Sequence, residues 1–307
     1  MINLIRRTFF NLYYNVWDIR QVWSNILSKL NVFSNYFQNK SYSYNHRFIE
    51  KWQIKERGNF NFNGAILPDI TKNTEMTAVL KECFMDTFVI SCYFGDNYDK
   101  KIVEYVDKHT REGAYGYTDS ITGFDVTIKD NSVVIDAGAW IGDFAAYAAS
   151  KGATVYAFEP SPSILPILHE TSSLNNHKII PVPKGLGSKE EEKYFRDTGG
   201  SAFGNRFVDT ESADTTMLSV TTIDAFVKEN GILNIDFIKA DIEGAERDML
   251  YGARETLKYH APKLAICTYH RADDPEILEK IIRDANPNYT IVQKRHKLYA
   301  CVIKKSH

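Results

Sequence analysis

A glycine turn that follows a run of apolar residues has the residue types of a small-molecule binding site. In the segment VVIDAGAWIGD, Asp136 precedes Gly138, and Gly142 follows at the start of an expected helix. Glycines let the backbone approach a ligand closely, and amides at a helix N-terminus point toward it. The spacing is not a dinucleotide fingerprint, because Ala139 and Trp140 stand where a pyrophosphate loop would need glycine. It favours a zwitterionic ligand such as S-adenosylmethionine (SAM), whose ammonium group Asp136 could meet directly or indirectly.

A second acidic residue follows another apolar run, TVYAFEP, in which Glu159 ends the strand 23 residues after Asp136. In a doubly wound fold this position holds a ribose, since a carboxylate accepts hydrogen bonds from both vicinal hydroxyls. Pro160 stops the strand, and Ser161 and Pro162 have the pattern of a helix N-cap and first turn. A glutamate at a strand end is by itself more often solvated. Its distance from the first motif favours the ribose interpretation.

A third motif, IDFIKADIEGAE, is an apolar strand that ends in acids around Gly244. Ligands of open α/β sheets bind beyond the carboxyl ends of the strands, so we expect Asp241 on the same rim as the first two motifs. Acids in a first helical turn also complement the helix dipole, which explains Glu246 and Glu243 without a ligand. Asp241 precedes the turn, so the dipole explains it less well.

A histidine from the neighbouring strand, His270, is expected on this rim as well. A histidine there can take a proton near neutral pH, and an adjacent carboxylate would tune and orient it. We therefore assign His270 as the base, with Asp241 orienting it or the substrate. Asp273 and Asp274 are most simply N-caps of the next helix. A divalent cation held by Asp241, His270 and one of those two aspartates is an alternative that the spacing does not favour.

From residue 127 onward, apolar runs and amphipathic stretches alternate, which predicts a doubly wound parallel sheet. The connection from 184 to 219 is long for this fold, and we interpret it as a substrate or cofactor lid. The expected strands are 131–137, 153–158, 178–183, 234–240, 262–268 and an antiparallel pair at 289–294 and 297–304, with helices near 141–150, 162–174, 222–230, 245–258 and 274–285.

The N-terminal third has a different pattern, with apolar residues at helical spacing from Leu4 to Leu30. We expect a helical accessory region at 1–110 that mediates dimerisation or caps the substrate, followed by the catalytic domain at 111–307. Basic residues beside the aromatic ones allow a second interpretation, in which this helix makes peripheral contact with the inner face of a membrane.

The composition excludes some classes of protein. The formal net charge of −2 gives no general attraction to nucleic acid. The four cysteines have no metal-ligand spacing, so no structural metal is predicted, and free thiols are typical of a reducing compartment. No apolar run approaches the roughly 20 residues that span a bilayer, and the start lacks a signal-peptide core. We expect a cytoplasmic protein.

Taken in order, the motifs VIDAGAxIG, AFEPSP, TTID and DFIKADIEGAE resemble those of the FkbM-type family of SAM-dependent methyltransferases. The similarity covers about residues 125–304. It implies a class I methyltransferase fold, a Rossmann-like sheet with strand order 3-2-1-4-5-7-6. It also implies that the turn from Asp136 to Gly142 lines the methionine part of SAM, that Glu159 with Pro160 borders the ribose, that Gly185 approaches the adenine, and that Asp241 lies near the transferred methyl group.

Members of this family are typically O-methyltransferases that act on hydroxyls of sugars, polyketides or other small molecules. We therefore expect O-methylation of a glycan or another biosynthetic intermediate by a homodimer. A catalytically inert SAM-binding scaffold is an alternative, as is a metal-dependent O-methyltransferase. A nicotinamide oxidoreductase is disfavoured by the missing third glycine.

Overall fold

The computed structural model describes residues 59–62, 64–69, 110–113, 115–198, 205–294 and 296–303. In chain order the elements are β1 Phe60–Phe62, β2 Ala65–Leu67, β3 Thr110–Gly113, β4 Gly116–Asp119, β5 Phe124–Val126, β6 Val133–Ala137, α1 Asp143–Ser150, β7 Thr154–Phe158, α2 Leu165–Leu174, β8 Ile179–Val182, β9 Gly185–Leu186, β10 Glu191–Arg196, β11 Arg206–Val208, β12 Thr215–Thr221, α3 Ile223–Glu229, β13 Phe237–Ala240, α4 Glu246–Tyr251, α5 Arg254–Tyr259, β14 Lys263–Cys267, α6 Asp274–Ala285, β15 Thr290–Lys294 and β16 Lys297–Cys301.

The central feature is a seven-stranded sheet with the order β15-β16-β14-β13-β6-β7-β8. Numbered along the chain, its strands run 3-2-1-4-5-7-6. The five strands from β14 to β8 are parallel, and β16 lies antiparallel to both of its neighbours. After β8 the chain returns past β6 and adds β13 on the other side. A crevice therefore opens at the carboxyl end of β6, where such folds bind their ligands.

The sheet is buried on both faces because its central strands are apolar at nearly every position, as parallel strands covered by helices are. On one face, Ile135 and Ala137 of β6 share a core cluster with residues of α3, α4, α5 and α6. Successive side chains of a strand point to opposite faces, so Val134 and Asp136 face the other layer, where α1 and β2 pack. The Phe144 ring of α1 and the Phe237 ring of β13 are 6.1 Å apart there.

The connection expected as a lid forms its own four-stranded sheet, in the order β11-β10-β12-β9. Residues 199–204, which contain its glycine-rich part, lie outside the described residues. The strands of this sheet are mixed in polarity, and we did not recognise them in the sequence. A covering role for this sheet stays a prediction.

The helix expected at 245–258 is two helices, α4 and α5, separated at Gly252 and Ala253. The carboxylate of Asp224 accepts hydrogen bonds from the backbone amides of Glu255 and Thr256, which starts a new helix there. Gly252 itself packs tightly, because a Cβ atom at this position would lie 2.1 Å from the carbonyl oxygen of Gly187.

The described part of the N-terminal third is a β-hairpin, although the sequence predicts helices for this region. Its strand β2 is hydrogen-bonded to Asn175 at the end of α2, through both the amide and the carbonyl of Ile66. A three-stranded antiparallel sheet, β3-β4-β5, precedes the central sheet and is also absent from our sequence interpretation. The amphipathic stripe from Leu4 to Leu30 lies outside the described residues. Among the helices that the structure describes, none combines the length and apolar character needed to cross a bilayer.

Candidate active site

The predicted site residues come from the carboxyl ends of four adjacent strands. The turn after β6 carries Gly138, Glu159 follows β7, Asp241 follows β13, and His270 lies three residues after β14. Because these strands are neighbours and parallel, their carboxyl ends meet at one edge of the sheet. The fold therefore places the three sequence motifs and the histidine around the crevice at β6.

Asp136 is fully buried on β6, opposite Lys239 of β13. The Nζ atom of Lys239 lies 3.0 Å from Oδ1 of Asp136 and donates to the carbonyl oxygen of Gly138 at 2.7 Å. Burial alone lowers the pKa of Lys239, but Asp136, with Asp241 and Asp143, raises it above its ordinary value, so the ammonium group stays charged. Asp136 thus has a cationic partner inside the protein. Whether Asp136 meets a ligand ammonium group directly or indirectly stays a prediction.

At the two glycines of the turn, neighbouring protein atoms leave no room for a side chain. Both have positive φ angles, +73° at Gly138 and +86° at Gly142. A Cβ atom on Gly138 would lie 2.0 Å from the backbone oxygen of Asp241, and one on Gly142 would lie 2.8 Å from Leu168 of α2. The sequence interpretation attributed both glycines to the close approach of a ligand. The structure adds a reason that the sequence interpretation missed, which is that the turn packs directly on the loop after β13 and on α2. The close approach of a ligand stays a prediction.

Glu159 is buried at the end of β7, and both of its oxygens accept backbone hydrogen bonds. The amide of Ser161 donates to Oε1 and the amide of Trp140 donates to Oε2, each at 2.9 Å. Burial raises the pKa of Glu159 to about 7, although these two amides lower it. Each carboxylate oxygen has a second lone pair, so the side chain is held in one orientation and can still accept hydrogen bonds from a diol.

The remaining residues assigned to the cofactor are Ala139, Pro160 and Gly185. Ala139 is buried, and its amide donates to the carbonyl oxygen of Phe158 at 3.0 Å, while Pro160 is half-buried. Gly185 of β9 packs against a ring, because a Cβ atom there would lie 2.3 Å from Phe207 of β11. An aromatic ring of the small sheet thus covers Gly185.

Asp241 is held by two tyrosine hydroxyls that the sequence interpretation missed. Tyr115 donates to Oδ2 at 3.0 Å, and Tyr269 donates to Oδ1 at 2.7 Å. Burial, together with the charge of Asp241, raises the pKa of both tyrosines, so both hydroxyls keep their protons. Asp241 is therefore an acceptor with a fixed orientation at the rim.

His270 lies among three carboxylates, with its side chain 10% exposed. Its Nδ1 atom is 3.1 Å from Oε1 of Glu246, and its Nε2 atom is 3.7 Å from Oδ1 of Asp241 and 3.9 Å from Glu243. Burial lowers the pKa of His270, but Glu246, Asp241 and Glu243 raise it, and the net pKa lies above the ordinary value of 6.5. The structure thus brings His270 and Asp241 together, as the sequence predicted, and adds Glu246.

Two aspartates considered in the sequence have other roles. The side chain of Asp273 makes no capping hydrogen bond to α6. Instead, Arg247 of α4 pairs with Asp273 at 2.5 Å and with Asp274 at 2.7 Å, and Asp274 accepts from the amide of Arg271. Asp273 thus occupies the expected N-cap position of α6 without capping it through its side chain, and the expectation of an N-cap was wrong for Asp274, which is the first residue of the helix. Their carboxylates join α4 to α6, because a guanidinium group can bind two carboxylates at once.

One group of described residues has the composition of a cation site, namely Asp241, Glu246 and His270. Each offers one oxygen or nitrogen atom, and these atoms lie within 4.8 Å of one another. The set differs from the one suggested by the sequence, since Glu246 stands in place of Asp273 or Asp274. Protonation of His270 would also balance part of the negative charge of this cluster, so the cluster can be explained without a bound cation.

Four functional residues escaped the sequence interpretation: Lys239, Tyr115, Tyr269 and Glu246. Lys239 could have been found from the sequence, because a lysine inside an apolar parallel strand is a buried cation that needs an anionic partner. Tyr269 is adjacent to His270 in the chain. Tyr115 lies 126 residues before Asp241, so no local pattern could have paired them.

Comparison with known proteins agrees with this geometry. The family model described as "Methyltransferase FkbM domain" matches residues 136–289, which is half of the chain and includes all the rim residues. The hexuronic acid methyltransferase AglP of Haloferax volcanii is 29% identical over 159 residues, which are 51% of this chain and 64% of that relative. The alignment therefore spans slightly less than two thirds of that protein.

Solved structures with similarity to this chain include a methyltransferase FkbM from Methylobacillus flagellatus. It has a TM-score of 0.46 and 23% identity, over 74% of this chain and 60% of that one. Fibrillarin from Aeropyrum pernix, crystallised with bound SAM, has a TM-score of 0.36 and 11% identity, over 57% of this chain and 67% of that one. At these TM-scores, neither likeness adds to the family match.

Proposed function

Since the chain belongs to the FkbM methyltransferase family, we propose that it transfers a methyl group from SAM to an oxygen atom of a sugar or another small biosynthetic intermediate. The observation that carries this proposal is the meeting of Glu159 with the Asp241–His270 pair at one edge of the sheet. Glu159 suits the ribose of an adenosine group, and the Asp241–His270 pair suits an acceptor hydroxyl.

The residues present fit SAM. Glu159 is fixed by two backbone amides with lone pairs left for the ribose hydroxyls, and the Lys239–Asp136 pair holds the turn that borders the methionine part. Asp241, Glu243 and the other rim carboxylates surround the crevice with negative charge, which suits a cationic ligand. SAM supplies an activated methyl group on a sulfonium. The protein therefore has to align the acceptor oxygen and remove its proton.

His270 is the residue we assign as general base. Its pKa is raised, so it carries a proton at acidic pH and takes up the acceptor proton only after it has lost its own. Activity should therefore rise with pH through a value above 6.5. Asp241 is fixed by Tyr115 and Tyr269, so it can orient the acceptor by accepting a hydrogen bond from a second hydroxyl.

The class of acceptor follows from the family and from the relative. A hexuronic acid methyltransferase acts on a sugar acid, and sugars offer the vicinal hydroxyls that a rim of fixed carboxylates can bind. We propose a glycan or its activated precursor as the acceptor class.

The proposal is tested by incubating the full-length protein with SAM labelled in the methyl group. Acceptors in the panel are a uronic acid glycoside, the matching neutral glycoside and its fully O-methylated form. We expect label in an alkali-stable ether of a glycoside, no label in the O-methylated sugar, and a loss of turnover of roughly 10²–10⁴-fold in His270→Ala with SAM affinity unchanged. Transfer of label to an amine, or full activity of His270→Ala, would contradict it.

A further inference from the structure

Glu246, in the first turn of α4, has a side chain that is only 1% exposed. An acid in a first turn can complement the helix dipole from the surface, and this is how the sequence was interpreted. Its burial adds a cost that the dipole alone does not explain, since a solvated carboxylate would serve the dipole at lower cost. The amide of Ile242 donates to Oε1 of Glu246 at 2.9 Å and fixes the carboxylate on the side of the turn that faces His270.

The two nitrogen atoms of His270 have different surroundings. Nδ1 lies 3.1 Å from the buried carboxylate of Glu246, whereas Nε2 faces Asp241 and Glu243 at 3.7 and 3.9 Å, on the rim. The ring of Tyr269 lies against the imidazole with centroids 4.2 Å apart, and it restricts rotation of the imidazole. Neither nitrogen has a well-aligned hydrogen bond among the described residues, as is common for catalytic contacts that tighten only when the substrate binds.

We propose that Glu246 is a positioning residue that keeps the proton of neutral His270 on Nδ1, so that Nε2 is the atom that receives the acceptor proton. The proposal rests on the proposed function for the identity of the proton donor. In the step itself, the acceptor O–H bond breaks, its proton bonds to the Nε2 lone pair, and the positive charge that forms on the imidazolium is balanced by Glu246. The same logic holds a histidine in the correct tautomer in serine hydrolases.

The first test is the tautomer of His270, measured on full-length wild-type protein with labelled histidine by long-range ¹H–¹⁵N NMR. His270→Gln identifies the signal. Above the pKa of the imidazole we expect the proton on Nδ1. A neutral His270 with its proton on Nε2, or an equal mixture of tautomers, would overturn the proposal. This readout needs neither substrate nor turnover.

The second test compares Glu246→Gln with Glu243→Gln, which removes a charge from the other side of the same ring. We expect Glu246→Gln to abolish the tautomer preference. It should also lower kcat by up to roughly 10²–10⁴-fold, which is the rate enhancement that a positioned general base contributes, with KM little changed. Glu243→Gln should keep the Nδ1 proton. Equal effects of both variants on the tautomer would contradict the proposal, because the position of Glu246 would then be immaterial. If Glu246→Gln does not fold, the wild-type measurement still decides.

Titration with Mn²⁺ separates this proposal from a cation site on the same residues. A cation held by Asp241, Glu246 and His270 would broaden the His270 signals at stoichiometric Mn²⁺, and would overturn the positioning role. We expect no selective broadening, and no loss of turnover with EDTA. If wild-type protein transfers no methyl group but shows the Nδ1 tautomer, the proposed function fails and the pairing of Glu246 with His270 stands.

Discussion

The ionisation of Glu159 should be linked to cofactor binding. Its pKa is raised to about 7 by burial, so a large part of the protein carries a protonated Glu159 near pH 6. Ribose hydroxyls donate hydrogen bonds to the ionised carboxylate, and a ligand that prefers the ionised form must lower this pKa and release a proton. Affinity should therefore increase as the pH rises through about 7 and then level off.

The magnitude follows from that pKa. If only the ionised form binds, affinity at about pH 6 is about tenfold weaker than at about pH 8. Glu159→Gln removes the charge, which costs roughly 1.5–3 kcal/mol for a hydrogen bond to a charged group, or about 10- to 150-fold in affinity. It also turns an amide donor toward the amide of Trp140 or Ser161, so we expect some loss of thermal stability.

The assay is isothermal titration calorimetry with S-adenosylhomocysteine across this pH range, in buffers of different ionisation enthalpy. The matched control is Glu170→Gln, an exposed glutamate on α2. Wild type and control should release protons on binding near pH 6.5, and Glu159→Gln should release fewer. Other titrating groups are common to all three proteins, so the difference isolates Glu159. Equal proton release and equal affinity in all three would refute the assignment of Glu159 to the ribose.

Two further predictions rest on the structure and one on the sequence. Gly138→Ala should prevent folding, because its Cβ atom would overlap the backbone oxygen of Asp241. The control Gly123→Ala has the same φ of +73° but lies in open space, so it should lower the free energy of unfolding by only about 1 kcal/mol. Circular dichroism and urea unfolding compare the two variants, and equal stability would show that the overlap relaxes. Lys239→Met should lower the free energy of unfolding by about 3–5 kcal/mol, and adding Asp136→Asn should restore part of it; additive losses would argue against the buried pair. Deleting residues 1–40 should shift the mass in light scattering from dimer to monomer or aggregate; unchanged mass with lost binding to anionic vesicles would favour the membrane interpretation instead.

The central sheet could be predicted because each parallel strand is an apolar run closed by a turn signal. The five parallel strands and the final antiparallel pair all occur within about three residues of their expected bounds. The antiparallel strands β3 to β5 and the small sheet at β9 to β12 could not be predicted, since their strands are mixed in polarity and lack the continuous apolar run of a buried parallel strand. Their pairing depends on contacts distant in sequence, such as Val220 of β12 beside Gly185 of β9.

The site could be predicted to the level of single acids but not of their partners. Strand ends showed where Asp136, Glu159 and Asp241 would lie, since topology fixes the edge of the sheet. Which of them carries a free charge depends on side chains from other elements. Lys239 forms an ion pair with Asp136 inside the protein. Glu246 is buried beside His270, although the sequence interpretation explained this acid by the helix dipole alone.

Titrating the full-length protein with SAM and, separately, with NAD in a calorimeter tests whether the crevice at the carboxyl end of β6 binds SAM. We expect one SAM bound per chain, weakened by Glu159→Gln and not by Glu170→Gln, and no heat of binding with NAD. Binding of NAD alone, or SAM affinity that is indifferent to Glu159, would contradict it.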